Sequence, residues 1–241
     1  FCMDEIVCFT ILGEKKEYKK GTKFANIAKE YQKEYKDDIV LVSLDNRLSE
    51  LFKPAEKGGN LSFVTTGETA GRKAYRRSVT LMMQKAVHHI LGNDNSRVRV
   101  CHCISQAYYC ELVNYGKPGE KFVEALKEEM RRMVEKEIPI MKDTLTTDDA
   151  VKLFHDLGMT DKERLFRYRR SSRVNIYSLD NYIDYFYGFM VPNTSYLKYF
   201  DVQIYGNGFV LMFPNENTKE VADFTPSAKH FETLKESSKW G

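Results

Sequence analysis

Side chains that carry protons, metals or nucleophiles are sparse in this sequence, and their spacing argues against a complete active site. The five histidines stand at 88, 89, 102, 155 and 230, and no two are four apart. That spacing would put two imidazoles on one helix face for a metal, whereas His88 and His89 point to different faces. Cys101-His102-Cys103 alternates on a strand, which separates the imidazole from the thiols, and no second ligand pair follows. No metal site is therefore assigned. There is no G-x-x-x-x-G-K-[ST] phosphate loop, no G-x-G-x-x-G after a strand and no serine elbow, so no residue is assigned a catalytic role. What stands out instead is charge. Arg164, Arg167, Arg169, Arg170 and Arg173 crowd into ten residues with Phe166 and Tyr168 between them. Arginine with aromatic rings grips phosphates and stacks bases. On a strand, Arg167, Arg169 and Arg173 would share one face. The alternative is a strand edge charged against aggregation, or ion pairs to Asp180 and Asp184.

The elements that must position these groups follow from periodicity. Residues 4–12 form an apolar, β-branched run that suits a strand, a turn falls at 13–15, and 17–19 return as a hairpin partner. Thr22 is placed to cap a helix whose Phe24, Ile27, Ala28 and Tyr31 share a face. Short strands follow at 39–42 and 61–64, completing a small β-grasp pattern within about 65 residues. A Gly/Thr-rich connector at 65–72 leads to a helix with Ser78 as its cap and Leu81, Met82, Ala86 and Ile90 along one side. Arg72, Lys73, Arg76 and Arg77 then crowd its first turn, where the helix dipole disfavours cations, so an anionic group is expected beside Arg76 and Arg77. Strands at 97–103 and 108–113 and a long amphipathic helix at 121–138 come next. A helix opens at Thr147 and closes at Gly158, and Thr160 with Glu163 reads as a capping box for another. Residues 166–179 read as strand-like, and 202–213 as a hairpin around Gly206-Asn207-Gly208. Residues 214–241 thin into a polar tail ending in an amphipathic stretch at 231–240.

The bulk numbers set bounds. The net charge is +3, from 37 Lys+Arg against 34 Asp+Glu, too small to argue for nucleic acid or membrane by itself. No run reaches the roughly 18 apolar residues of a membrane span. The start, FCMDEIVCFTIL, lacks a basic n-region and a small-residue cleavage site. Five cysteines are an odd count with three clustered at 101–110, which predicts reduced thiols and a cytoplasmic protein rather than a disulfide framework.

Several blocks carry a family resemblance. The strand-turn-strand opening, Lys20-Gly21-Thr22 before the helix, and LDNRLSEL at 44–51 resemble a TGS domain, the ubiquitin-like module of threonyl-tRNA synthetases, some GTPases and stringent-response enzymes. RRSVTLMMQKAV at 76–87, ISQAYYCEL at 104–112 and YGFMVPNTSYLKYF at 187–200 resemble the second additional domain of threonyl- and alanyl-tRNA synthetases. In that family an editing site is built from a histidine pair and from a cysteine and a histidine, each pair four residues apart. Here the four places hold Arg77, Leu81, Phe186 and Met190. A frame kept with its chemistry removed is what the resemblance implies, because Phe, Leu and Met neither activate water nor hold a divalent metal. The combination, with RLFRYRRSSRVNIYSLDNYIDYFYGFMVPNTSYLKYFDV at 164–202 and a closing LKESSKWG at 234–241, also resembles the N-terminal half of bacterial uridine kinase-like nucleoside kinases. That resemblance implies an accessory region without cofactors of its own, partnered by a C-terminal P-loop kinase domain that carries ATP and magnesium beyond Gly241.

The expected architecture is α+β, with three parts. A TGS-like β-grasp domain covers 1–67, a sheet-and-helix domain like the synthetase editing domain covers 73–213, and a tail covers 214–241. The expected function is a non-catalytic regulatory region of a nucleoside kinase. The alternative is an RNA- or nucleotide-binding module with editing lost. Arg76, Arg77, Arg167, Arg169, Arg170 and Arg173 are the candidate contacts to RNA or a small anionic ligand, and no membrane partner is expected.

Overall fold

A computed structural model describes residues 4–93, 95–169, 172–215 and 219–222. The fold is α+β, and the chain divides into two compact units that are each discontinuous in sequence. Among the described residues, those up to 78 join those of 137–196, and those of 79–136 join those from 197 on. The sequence-based boundaries at 67, 73 and 213 divide the chain differently, because a linear reading cannot show where the chain returns to an earlier unit.

The first unit opens with a β-grasp. Its strands are β1 (Ile6–Ile11), β2 (Glu14–Lys19), β3 (Ile39–Leu44), β4 (Arg47–Glu50) and β5 (Gly59–Thr65), in the order β2-β1-β5-β3-β4. Only the β1–β5 pairing is parallel. The first hairpin turns on Leu12 and Gly13, with φ of 51° and 82°, so the turn falls one residue earlier than expected. Positive φ at both positions matches the right-handed twist of the flanking strands, and Asp45-Asn46 repeats the device between β3 and β4. Helix α1 (Phe24–Tyr31) lays Phe24, Ile27 and Ala28 on the sheet, where they pack with Phe9, Ile11, Val42, Leu61 and Phe63. Thr22 does not cap it. Its hydroxyl donates to the Lys19 carbonyl, and Lys23 is the cap residue without a side-chain bond.

The same unit contains a three-stranded antiparallel sheet, order β10-β9-β8, formed by β8 (Ile140–Thr146), β9 (Arg173–Leu179) and β10 (Tyr182–Tyr185). Helices α4 (Thr147–Asp156) and α5 (Thr160–Arg167) build its core from Ala150, Phe154, Phe166, Val174 and Ile176. Thr146 caps α4 by accepting from the Asp149 amide, one residue before the expected start. No capping box forms at α5. Met159 precedes it, and Glu163 accepts instead from Arg167 and pairs with His155.

Helix α2 (Thr69–Leu91) begins nine residues before Ser78, so Ser78 sits mid-helix and Arg76 and Arg77 lie beyond its first turn. From Ser78 to Met83 every residue is buried, so the expected one-sided apolar stripe is here an all-round one. The second unit holds a four-stranded antiparallel sheet, order β11-β12-β7-β6, from β6 (Arg97–Ile104), β7 (Ala107–Val113), β11 (Asp201–Tyr205) and β12 (Gly208–Met212). Helix α3 (Glu120–Lys136) buries Val123, Leu126, Met130 and Met133, and Lys127 reaches Asp201 of β11 at 3.2 Å. No described helix is long and apolar enough to cross a membrane. The stretch 231–240 and His230 lie outside the described residues.

Candidate functional site

The segment after β10 runs back past helix α2, and α2 presents two polar side chains to it. The Ser78 hydroxyl donates to the Ala74 carbonyl 2.7 Å away, one turn back. The same oxygen accepts from the Val191 amide at 3.0 Å and lies 3.3 Å from the Met190 sulfur. Arg77, one residue earlier, donates from Nη1 to the Phe189 carbonyl at 2.7 Å. Its guanidinium rests on Gly188, where a Cβ would stand 2.6 Å from Cζ, and Gly188 has φ of +112°. The backbone angle favours glycine there, and a Cβ would displace the Arg77 guanidinium from its place on the segment.

A buried carboxylate fastens the same segment from the other side. Glu50, at the end of β4, is fully buried. Its Oε1 accepts from Lys142 Nζ at 2.8 Å, and its Oε2 accepts from the Met190 amide at 2.9 Å. The Tyr177 hydroxyl stands 3.1 Å from Oε2 and 2.7 Å from the Gly188 carbonyl, so one phenolic proton serves two acceptors. Burial pushes the Tyr177 phenol above its ordinary range, Glu50 adds to that shift and Arg77 opposes it. Arg77, Ser78, Glu50, Lys142 and Tyr177 thus spend hydrogen-bonding capacity on one another and on the main chain of 188–191.

At the four family positions, Leu81 and Met190 are fully buried, Phe186 is half-buried, and Arg77 is turned onto a main-chain carbonyl. None of these side chains, as placed, offers a nucleophile or a general base. Among the described residues no group of three or more His, Cys, Asp or Glu side chains stands together as a metal site would require. The four described cysteines are free thiols, and burial pushes Cys110 well above the usual thiol range.

The basic run does not form one strand face. Arg167 ends helix α5 and pairs with Glu163 at 2.5 Å, Arg169 lies in the following connection, and Arg173 opens β9. Two acidic residues in the first turn of α5 (Asp161 and Glu163), with Arg164 and Arg167 in its last, favour a helix by dipole complementarity, the signal a strand reading overlooks. Arg170 lies outside the described residues. Arg76 is half-buried on α2. Asp184 is the partner of Lys162. Burial pushes its carboxyl up while Lys162 holds it down.

Arg169 is the member with a built environment. Its guanidinium carbon lies 5.6 Å from the Phe166 ring centre, 5.4 Å from Tyr185 and 5.3 Å from Tyr187. Three elements meet in this cluster: the end of α5, strand β10 and the turn toward Gly188. Sequence reasoning found Arg169 and Phe166 but not Tyr185 and Tyr187, which arrive from sixteen and eighteen residues further on.

A β-grasp module and a sheet-and-helix portion make an α+β fold like that of the TGS and editing domains of threonyl-tRNA synthetases. The curated proteins it is similar to agree. The threonine–tRNA ligase of Thermotoga neapolitana is 25% identical over 189 residues, covering 78% of this chain and 29% of that protein. Those of Thermotoga petrophila and Rubrobacter xylanophilus are 28% and 25% identical over 189 and 191 residues, covering 78% and 79% of this chain and 29% of each protein. The chain thus spans 29% of the length of these relatives. No family model matches it. These relatives are synthetases, and they lend no support to the resemblance to uridine kinase-like proteins.

Proposed function

We propose that this region is a binding module derived from a synthetase TGS-plus-editing pair, with aminoacyl-ester hydrolysis lost and recognition of RNA or a nucleotide kept. It works in the cytoplasm and needs no cofactor. The observation that supports this reading is the wiring around 188–191. Glu50, Arg77, Ser78 and Tyr177 hold that main chain through bonds of 2.7 to 3.0 Å, at the place where the resemblance puts hydrolytic chemistry. A side chain committed to holding backbone is poorly placed to activate water. The test pairs two assays on the 241-residue chain. Mischarged tRNA should be deacylated no faster than in buffer. RNA or nucleotide should bind with an affinity whose logarithm falls linearly with the logarithm of salt concentration. Deacylation above background, or no binding of either ligand at low salt, sinks the proposal.

A second reading keeps the module but makes it the accessory half of a uridine kinase-like nucleoside kinase, partnered by a C-terminal kinase domain that binds ATP and magnesium. It is favoured by the resemblance carried in residues 164–202. Reading the parent gene past Gly241 tests it: a phosphate loop and ATP-dependent uridine phosphorylation support it, and a stop codon there removes it.

A further inference from the structure

Two exposed tyrosines flank the Arg169 cluster. Tyr168 is 84% exposed and Tyr187 is 74% exposed, the two most exposed of the large hydrophobic side chains described. Exposed rings scattered singly need no explanation. These two are not scattered: Tyr168 is the chain neighbour of Arg169, and Tyr187 lies against its guanidinium. Phe166 beneath is buried and packs edge-on against Tyr185 at 4.8 Å, so the floor of the cluster is part of the α4–α5 core. The backbone amide of Arg169 donates to the Phe166 carbonyl, which fixes where the side chain leaves the main chain. The result is a guanidinium held between rings on a rigid base, with an open aromatic face beside it.

We propose that this cluster is a stacking site for single-stranded RNA, with an unpaired base laid on Tyr187 and a backbone phosphate on Arg169. It rests on the binding reading above and names both the partner and the contact surface. Planar, fork-shaped arginine matches phosphate, and a ring clamp lowers the entropy lost when it binds. Stacked bases in a duplex cannot reach an exposed ring, so unpaired nucleotides are the form this surface recognises. The charge balance agrees: residues 160–173 carry six basic side chains against two acidic ones, and one of the two, Glu163, is already engaged by Arg167 and His155. An acidic peptide would satisfy the charge but leave the ring face unused.

The test is fluorescence anisotropy on the 241-residue chain with a labelled twelve-nucleotide single strand, the same sequence as duplex, and poly-glutamate as competitor. The single strand should bind more tightly than the duplex. Tyr187→Ala should weaken it about tenfold, the size of losing one base–ring stack, and Tyr187→Phe should restore it. Arg169→Lys keeps the charge but loses the fork and should weaken binding several-fold at every salt concentration. Tyr187 is mostly exposed, so the alanine variant is expected to keep the wild-type melting curve, and circular dichroism checks that it does. Wild-type affinity in Tyr187→Ala, preference for duplex, or full displacement by poly-glutamate each overturns the inference while leaving the proposed function standing. Failure to bind any RNA overturns the inference, and failure to bind nucleotides as well overturns both.

Discussion

Replacing Glu50 with alanine should be the most damaging single change at the wired segment. Glu50 is fully buried, and Lys142, 15% exposed, donates to it at 2.8 Å. Two further donors point at the same carboxylate: the Met190 amide at 2.9 Å and the Tyr177 hydroxyl at 3.1 Å. Tyr177 retains the Gly188 carbonyl, but the Lys142 ammonium and the Met190 amide lose their acceptor. Removing one partner of a buried pair costs about 3–5 kcal/mol, mostly because the other charge stays buried alone. At about 2–4 °C per kcal/mol for a chain of this size, the melting temperature should fall by roughly 6–20 °C. The control is Glu50→Met with Lys142→Met. It removes both charges at similar volume and should stay within about 2 kcal/mol of wild type, since a buried pair is weakly stabilising against an apolar replacement. Urea unfolding followed by far-ultraviolet circular dichroism reads both. A loss below about 1 kcal/mol in Glu50→Ala would refute the reasoning, and so would a double variant as damaged as the single one.

Three further outcomes are expected. Gly188→Ala should lose about 1–3 kcal/mol from the positive φ alone, plus the clash with Arg77; adding Arg77→Ala should relieve the clash but not the backbone cost, as urea titrations of both variants will show. The Glu163 carboxyl is held below the ordinary value of 4.5, first by Arg167 and then by His155. Its contribution to stability is therefore present above about pH 4.5 and lost as pH falls through the lowered value, so the gap in melting temperature between wild type and Glu163→Gln should be open at pH 6 and close on acidification. Cys110 is buried with its thiol pushed up, whereas Cys8 and Cys103 are exposed. Peptide mapping after iodoacetamide at pH 8 should find Cys8 and Cys103 alkylated and Cys110 protected until urea is added.

Much of the β-grasp was legible because its signals are local. An apolar run in 4–12, a turn signal at 13–15 and an amphipathic helix each occupy a few residues, and the observed β1, β2 and α1 fall close to those signals, the turn one residue earlier. Helix α3 was equally plain, its apolar residues recurring at three and four. Strand β8, by contrast, shows mostly half-buried and exposed side chains and carries no clear alternation, so it emerges only through its pairing with β9. The helix expected to open at Thr160 forms, but it runs on through Phe166 and Arg167, which by sequence read as the start of a strand because arginines and rings also suit one. The tertiary fold chose the helix, laying Phe166 on Phe154 with ring centres 5.5 Å apart.

The sequence by itself determined that Phe186, Met190 and Leu81 carry no titratable group for proton transfer, since residue type alone fixes that. It also singled out Arg77 as a cation in need of a partner. Only the tertiary structure decided what that partner is, because the Phe189 carbonyl lies 112 residues away and a backbone oxygen leaves no mark in a sequence. The same holds for Glu50, met in the sequence only as part of the LDNRLSEL block, which becomes the buried acceptor for groups 92 to 140 residues distant. Hydrophobic periodicity reports which face of an element is inside, but it carries no information about which distant donors and acceptors meet there. That is fixed by the packing of β4, β8, β9 and the 188–191 segment.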